Sequence, residues 1–342
     1  MSERTVDPDL VEMIGTVFVH QHDTSSKVSG PLAVNRRLWS VLGEIGLTRL
    51  TEAEESGGSG ATWRESAVLL STAAANAALV PLAEHDLLAG YLLDTAGLRR
   101  DESIRTACVL DADGTASAVP WASGADRIVL LWNRNGWTVS DVPRQAVTVR
   151  PGTNLASEPR DRVSVDIGAL DGAPVPDSVP EVLRFHGALA RSLQICGAME
   201  RVLDICVEHT GARVQFGRPL AKFQAVQHMV AEIAAESSLA RAAADNAVNA
   251  AVEFGWTDDR TVFAVASAKS ATAHAATLVA RKAHQTLGAI GFTMEHQLHR
   301  YTNCILSWRS EFGSVRYWDD ILTDCAVAAG SQGVWELIEG RT

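Results

Sequence analysis

Cysteine is the first scarcity. The five cysteines of this 342-residue chain, Cys108, Cys196, Cys206, Cys304 and Cys325, are far apart and form no CxxC pair. That excludes a disulfide framework and a cysteine-based zinc site, and leaves ordinary packing in a reducing compartment. Positive charge is also short: 30 Lys and Arg stand against 41 Asp and Glu, a net charge of -11. Attraction to nucleic acid or to an acidic membrane surface is therefore disfavoured, although a local basic pocket is compatible with it. No uninterrupted apolar run approaches the ~18 residues of a membrane span, and no charged, hydrophobic leader is read at the N-terminus, so a cytoplasmic location is expected. No GxGxxG follows a strand, and no Rossmann unit is implied.

What is present divides into three stretches: residues 1–100, expected to be helical, 101–175, expected to be β, and 176–342, expected to be a helical bundle. The first contains VEMIGTVF, RRLWSVLGEIGL and an Ala/Leu run over about 62–94 that reads as helix. Thr62 and Glu65 are spaced as a capping box at the start of that run. EESGGSG, residues 54–60, reads as a loop on its glycines. Over 101–175 the pattern changes to short branched segments, RTACVL, RIVLLW, GWTVS, AVTVR and RVSVDI, punctuated by DADG, NRNG and RPGTN. This reads as a small antiparallel β domain with a hairpin at Asn135-Gly136. Trp121, Trp132 and Trp137 fit either a flat ligand or cross-strand packing.

After the Gly/Pro-rich linker 168–180, which ends in a second candidate capping box at Ser178 and Glu181, helical spacing returns. Leu189, Leu193, Cys196, Leu203 and Cys206 share one face, and Phe223, Val226, Met229 or Val230, and Ile233 another. Between those runs lies GARVQFGRPLAKFQAVQH, residues 211–228. There Gly217 and Pro219 are expected to end one helix and begin the next, which reads either as a plain interhelical turn or as one presenting Arg213, Phe216 and Arg218 to an anionic or aromatic ligand. A third, Ala-rich run covers roughly 259–288 and leads into KAHQTLGAIG, where Gln285 offers an amide and Gly288 and Gly291 let something bulky approach. His296 and His299 lack a third ligand in a metal-binding pattern, so no metal site is expected.

ARVQFGRPLAKFQAVQHMVAE, residues 212–232, resembles the signature helix-turn-helix of acyl-CoA dehydrogenases, and QTLGAIGFTMEHQLHR, residues 285–300, resembles their glutamine-glycine motif. GEIGLTRLTEAEESGGSG (43–60) and TNLASEPRDRV (153–163) are similar to their N-terminal and β domains, so the resemblance covers almost the whole chain. It implies an α+β, mainly α, fold with an N-terminal helical domain, a middle β domain and a C-terminal bundle. It further implies FAD bound between subunits and oxidation of an acyl-CoA thioester to the 2,3-enoyl-CoA, with electron-transfer flavoprotein as acceptor. The positions matching Arg213 and Phe216 would contact the adenine dinucleotide part of FAD. Those matching Gln285 and Gly288 or Ala289 would contact the FAD of a neighbour, Ala289 replacing a common glycine.

The chemistry needs a carboxylate to take the proton alpha to the thioester. The nearest candidate after the glutamine-glycine motif is Glu311 in RSEFGS, without the family's Glu-Gly-Thr order. The other family location for the base falls on Gly187 to Arg191, which contains no glutamate. The β region also lacks clear matches to the family's flavin-side segments. Such shortening resembles the smaller subunits of actinobacterial heteromeric acyl-CoA dehydrogenases, some of which act in steroid side-chain or related lipid degradation. The expected assembly is a homodimer, a homotetramer or a heterotetramer with a longer dehydrogenase subunit. A noncatalytic subunit that completes the partner's FAD site is the alternative to a complete enzyme.

Overall fold

Local rules set the helix starts. In the computed structural model, which describes residues 6–19 and 32–339, Asn35 caps helix α2 (Arg36–Glu44) by accepting from the Leu38 amide at 3.0 Å. The extreme N-terminus, where no leader was read, lies outside the described residues. Helix α1 (Pro8–Val19) buries Ile14 and Phe18, four residues apart on one face. Helix α3 (Trp63–Ala75) opens on a working capping box: the Thr62 amide donates to Glu65 at 2.8 Å, and the Arg64 amide to the Thr62 hydroxyl at 3.2 Å.

The expected continuous helix to residue 94 is broken. Ala77 is left-handed (φ 49°), and Pro81, which has no amide hydrogen to donate, restarts the chain as a π-helix, Ala83–Gly90, followed by α4 (Tyr91–Thr95). All eight π-helical residues are buried, including Glu84, His85 and Asp86. Tertiary partners hold them: Arg100 pairs with Asp86 at 3.1 Å, and His85 Nδ1 accepts from the Arg105 amide at 3.0 Å. Burial, and then the positive charge of Arg105, push the His85 imidazole down to about 3.

The strands are β1 (Arg105–Val109), β2 (Thr115–Pro120), β3 (Arg127–Asn133), β4 (Trp137–Pro143), β5 (Thr148–Arg150), β6 (Arg160–Ser164) and β7 (Ala173–Pro174). They form two sheets, ordered β1-β3-β4-β7 and β2-β6-β5. The expected hairpin is present, with Asn133 opposite Trp137. The expectation of a purely antiparallel domain is corrected: β1 and β3 run parallel, Ala107 beside Val129. The reason is topological. The turn after β1 sends β2 into the second sheet, so the chain returns to β1 by a crossover, and a crossover delivers a parallel neighbour. Ile128, Leu130, Trp132, Val119 and Val163 are central to the β core. Trp121 and Trp132 are buried, Trp132 donating to the Ser140 hydroxyl at 2.9 Å, which favours packing over a ligand role for both.

The bundle is built from α5 (Val179–Ala212), α6 (Gln224–Phe254), α7 (Asp259–Leu287), α8 (Leu298–Trp308) and α9 (Val315–Glu339). Two two-residue strands, β8 (Val214–Gln215) and β9 (Arg218–Pro219), separate α5 from α6. Buried alanines line the contact of α6 (Ala240, Ala244, Ala247, Ala251) with α7 (Ala264, Ala268, Ala275, Ala276), where small side chains let the backbones approach. Where α5 meets α3 there is no room for any side chain at Gly197, since a Cβ there would lie 2.0 Å from the Ser71 carbonyl oxygen. The stretch Asp259–Phe292 is long and apolar enough to cross a membrane, but 61% of its most apolar window is buried in the protein, as a core helix would be. Two compact units result, Met1–Leu69 with Ala78–Gly187 and Leu70–Ala77 with Ala188–Thr342, the cuts falling inside α3, just after it and inside α5.

Candidate cofactor-binding site

The 211–228 stretch is a hairpin rather than a helix-to-helix cap. Helix α5 stops at Ala212, Gln215 pairs with Arg218, and Phe216 and Gly217 are the two turn residues, at φ 53° and 78°. Two consecutive positive φ values are those of a type I′ turn, and a phenylalanine adopts one at a cost of about 1–2 kcal/mol. The strained ring is 91% exposed. Arg213 is also exposed, its amide donating to the His209 carbonyl at 2.9 Å. Arg218 lies over the Phe223 ring at 4.2 Å, and Phe223 meets Phe216 edge to face.

The second motif ends α7. Gly288 closes it at φ 65°, its amide donating to the His284 carbonyl, and a Cβ at that position would meet nothing within 4 Å. Gln285, Gly288 and Ala289 are all exposed, as are Ile290, Phe292 and Met294, while Gly291 is packed against Leu287 and Leu298. The two motifs share one end of the bundle. Glu232 near the start of α6 pairs with Lys282 near the end of α7, and the His209 and His296 rings meet edge to face at 6.4 Å. Positive charge gathers there. The His209 imidazole is held below its ordinary value by burial and then by His296 and Arg213, and His296 by burial and then by His299. An end with exposed arginine, exposed aromatic faces, an exposed amide and an open glycine cradle fits an anionic ligand with a flat ring, as FAD is.

His296 and His299 are engaged locally: His296 Nδ1 accepts from the Leu298 amide at 3.1 Å, and His299 Nδ1 donates to the His296 carbonyl at 2.7 Å. Among the described residues no three His, Cys, Asp or Glu side chains converge to hold a metal ion.

Glu311 is elsewhere and closed in. Its carboxylate accepts from Arg191 Nε at 2.7 Å, and Arg191, 2% exposed, also donates to Gln194 at 2.6 Å and faces the Phe312 ring. Lys269, fully buried, donates to the Trp308 carbonyl at 2.8 Å beside them. Burial pushes the Lys269 ammonium down to about 7, with Glu311 opposing and Arg191 adding to the shift. Arg191 and Arg213 are 22 residues apart on either side of the end of α5, about 33 Å at ~1.5 Å per residue. Arg191 and Lys269 were not among the expected site residues. The available signals were a lone lysine in an Ala-rich run and an arginine on an apolar helix face.

The acyl-CoA dehydrogenase C-terminal domain model matches residues 185–314. Acyl-CoA dehydrogenase IpdE2 of Mycobacterium tuberculosis is 29% identical over 305 residues, 83% of this chain and 86% of its own. Acyl-CoA dehydrogenase FadE34 of the same organism is 28% identical over 78% of this chain, which spans 38% of FadE34. The ChsE4-ChsE5 complex of M. tuberculosis has a chain that superposes with a TM-score of 0.79 at 21% identity, covering 94% of this chain and 98% of that one, a likeness of fold. With the motif-bearing bundle and the β unit described above, these matches define the class: an oxidoreductase scaffold of the flavoprotein type. Over most of its length the chain is similar to members of the acyl-CoA dehydrogenase superfamily, and its bundle matches that family's C-terminal domain.

Proposed function

We propose that this chain is a subunit of an FAD-dependent acyl-CoA dehydrogenase in which a partner dehydrogenase chain supplies the catalytic base. The observation that carries this reading is the Arg191–Glu311 pair: the candidate carboxylate is held at 2.7 Å by a buried guanidinium. A base must be free to take a proton, and a carboxylate so paired is stabilised in its charged form and poorly placed to accept one. The comparison with a two-component complex is in keeping with this division of labour. In this reading Arg213 neutralises the pyrophosphate, Phe216 covers the adenine end, and Gln285, Gly288 and Ala289 form the polar, open cradle. FAD, when bound, accepts the hydride lost by the acyl chain. This chain's own residues bind and orient the cofactor and exclude water from it. The substrate is an acyl-CoA thioester, with electron-transfer flavoprotein as electron acceptor, in the cytoplasm.

The test is purification of the chain with whatever accompanies it in its host, followed by flavin spectroscopy and subunit identification. A yellow complex with a longer dehydrogenase, whose anaerobic bleaching by acyl-CoA persists in Glu311→Gln, is expected. A chain that is yellow and active alone, and loses single-turnover reduction in Glu311→Gln while keeping its fold and flavin, would replace this reading with a self-sufficient enzyme.

A further inference from the structure

Helix α2 ends beside a cavity. Its residues Arg36, Ser40, Gly43 and Glu44 recur at helical spacing and so face one side. Gly46 (φ 77°) then turns the chain back, its amide donating to the Gly43 carbonyl at 3.0 Å, and the short turn Leu47–Arg49 follows. That reversal brings the Thr48 hydroxyl to the foot of Gly43: a Cβ built on this glycine would lie 3.7 Å from Thr48 Oγ1 and within 4 Å of nothing else. The space left open is a cavity of about 440 Å³. Trp39, Thr48 and Ile104, only 9, 5 and 2% exposed, form its floor, and the charged side chains of Arg36, Glu44, Glu102 and Asp126 form its rim.

Most of the charge on that rim is already paired. Asp126 accepts from Arg36 at 2.9 Å and from the Ile104 amide at 2.9 Å, and Arg36 also donates to the Gly124 carbonyl at 3.2 Å. Glu102 accepts from Arg49 at 2.9 Å. Glu44 differs. Among the described residues its carboxylate accepts only from the Ser40 hydroxyl, at 3.3 Å, and no cation pairs with it. Thr48 is buried, yet its hydroxyl makes no hydrogen bond among the described residues. A buried hydroxyl left so carries a desolvation cost that a ligand able to bond it would relieve. Trp39, held edge to face against His85 with ring centroids 5.0 Å apart, adds an aromatic surface that attracts a cation. The rim carboxylates repel phosphate. Among the described residues no three of the side chains that bind metal ions converge, so the cavity is not built for a metal ion either.

We propose that this cavity binds a small primary amine in its ammonium form, with Glu44 and Thr48 accepting its N–H bonds and its carbon chain lying on Trp39 and Ile104. An ammonium carries three donors and no acceptor, which suits a carboxylate beside an uncommitted hydroxyl oxygen. The enclosed volume is that of a small-molecule site. Such binding requires neither FAD nor a partner chain.

The test is a saturation-transfer NMR titration of the full-length chain, with any copurifying partner, using 1-aminobutane as the probe and 1-butanol and sodium chloride as controls. Saturable binding of the amine, none of the alcohol, and no displacement by equimolar sodium are expected. Glu44→Gln should weaken binding about tenfold through loss of the charged partner, and Thr48→Val about threefold. Gly43→Leu, whose Cβ meets only Thr48 Oγ1, should abolish binding by filling the cavity without lowering the melting temperature. Equal binding of amine and alcohol, or an affinity unchanged in both Glu44→Gln and Gly43→Leu, would overturn the proposal. Tighter binding of Nα-acetyl-lysine methylamide than of the free amine would overturn it too, by making the cavity a seat for a protein lysine.

Discussion

Glu311 and Arg213 are both charged residues that motif reading picks out, yet the bundle treats them in opposite ways. Glu311 accepts from a guanidinium that is 2% exposed, next to a lysine that is wholly buried, so its charge is consumed inside the protein. Arg213 stands in solvent beside a strained and 91% exposed phenylalanine, near His209, whose protonation burial and then the charges of His296 and Arg213 oppose. The comparison teaches where the chain retains unspent binding capacity. A closed ion pair contributes to the fold, while an open cluster of like charge and aromatic surface is stabilised only when something of opposite charge arrives.

The largest test of that contrast is Glu311→Ala. If the pair is structural, removing the carboxylate strands a buried guanidinium and costs about 3 kcal/mol, the lower end of the usual range because Gln194 still accepts from Arg191. Urea unfolding followed by circular dichroism measures it. Unchanged stability would return Glu311 to the role of an available base. Next comes Lys269, whose folded-state value of about 7 lies below its ordinary 10.5. The folded chain then binds fewer protons than the unfolded one, so stability is fully present above pH 10.5 and falls as pH drops towards 7. Lys269→Met is expected to flatten the rise in unfolding midpoint between pH 7 and 10. A rise that persists in the variant would place it in another group.

At the open end the expected effects are on binding rather than folding. Arg213→Ala should lower the flavin-to-protein ratio by about tenfold in FAD affinity, the loss of one charge-assisted contact, with little change in melting temperature. A melting temperature that falls while occupancy holds would make Arg213 a structural residue and erase the contrast. The smallest effect on binding is expected from Gly288→Ala. A methyl group there meets nothing within 4 Å, so the cost is the backbone alone, which at φ 65° and ψ −142° favours glycine, about 1–3 kcal/mol, read by thermal melting. A larger loss of flavin than of stability would sharpen the assignment of that glycine to the cradle.

Much of the architecture was legible because it follows local rules. The Thr62–Glu65 box, the Asn135-Gly136 hairpin and the Ala-rich α7 depend on neighbours in sequence, and the structure contains all three. Two readings failed for a shared reason. The 62–94 run looks continuous in composition, but a left-handed Ala77 and the proline after it break it, and the π-helix that follows is held by Arg100 and Arg105 from outside the run. The parallel β1–β3 pair depends on β2 leaving for another sheet, which alternation along a strand does not encode. The 211–228 stretch was read correctly as a break with exposed arginine and phenylalanine, but as a cap rather than a hairpin.

The amino-acid sequence by itself determined the order of helical, β and helical segments, the superfamily motifs and the residues that bear them, because spacing and turn chemistry are local. Only the tertiary structure decided which charges are available. Whether a carboxylate is a base or half of an ion pair depends on a side chain 120 positions away, since Arg191 reaches Glu311 only when α5 packs beside the turn after α8. Low solvent access makes that pairing strong, and no pattern along the chain records it.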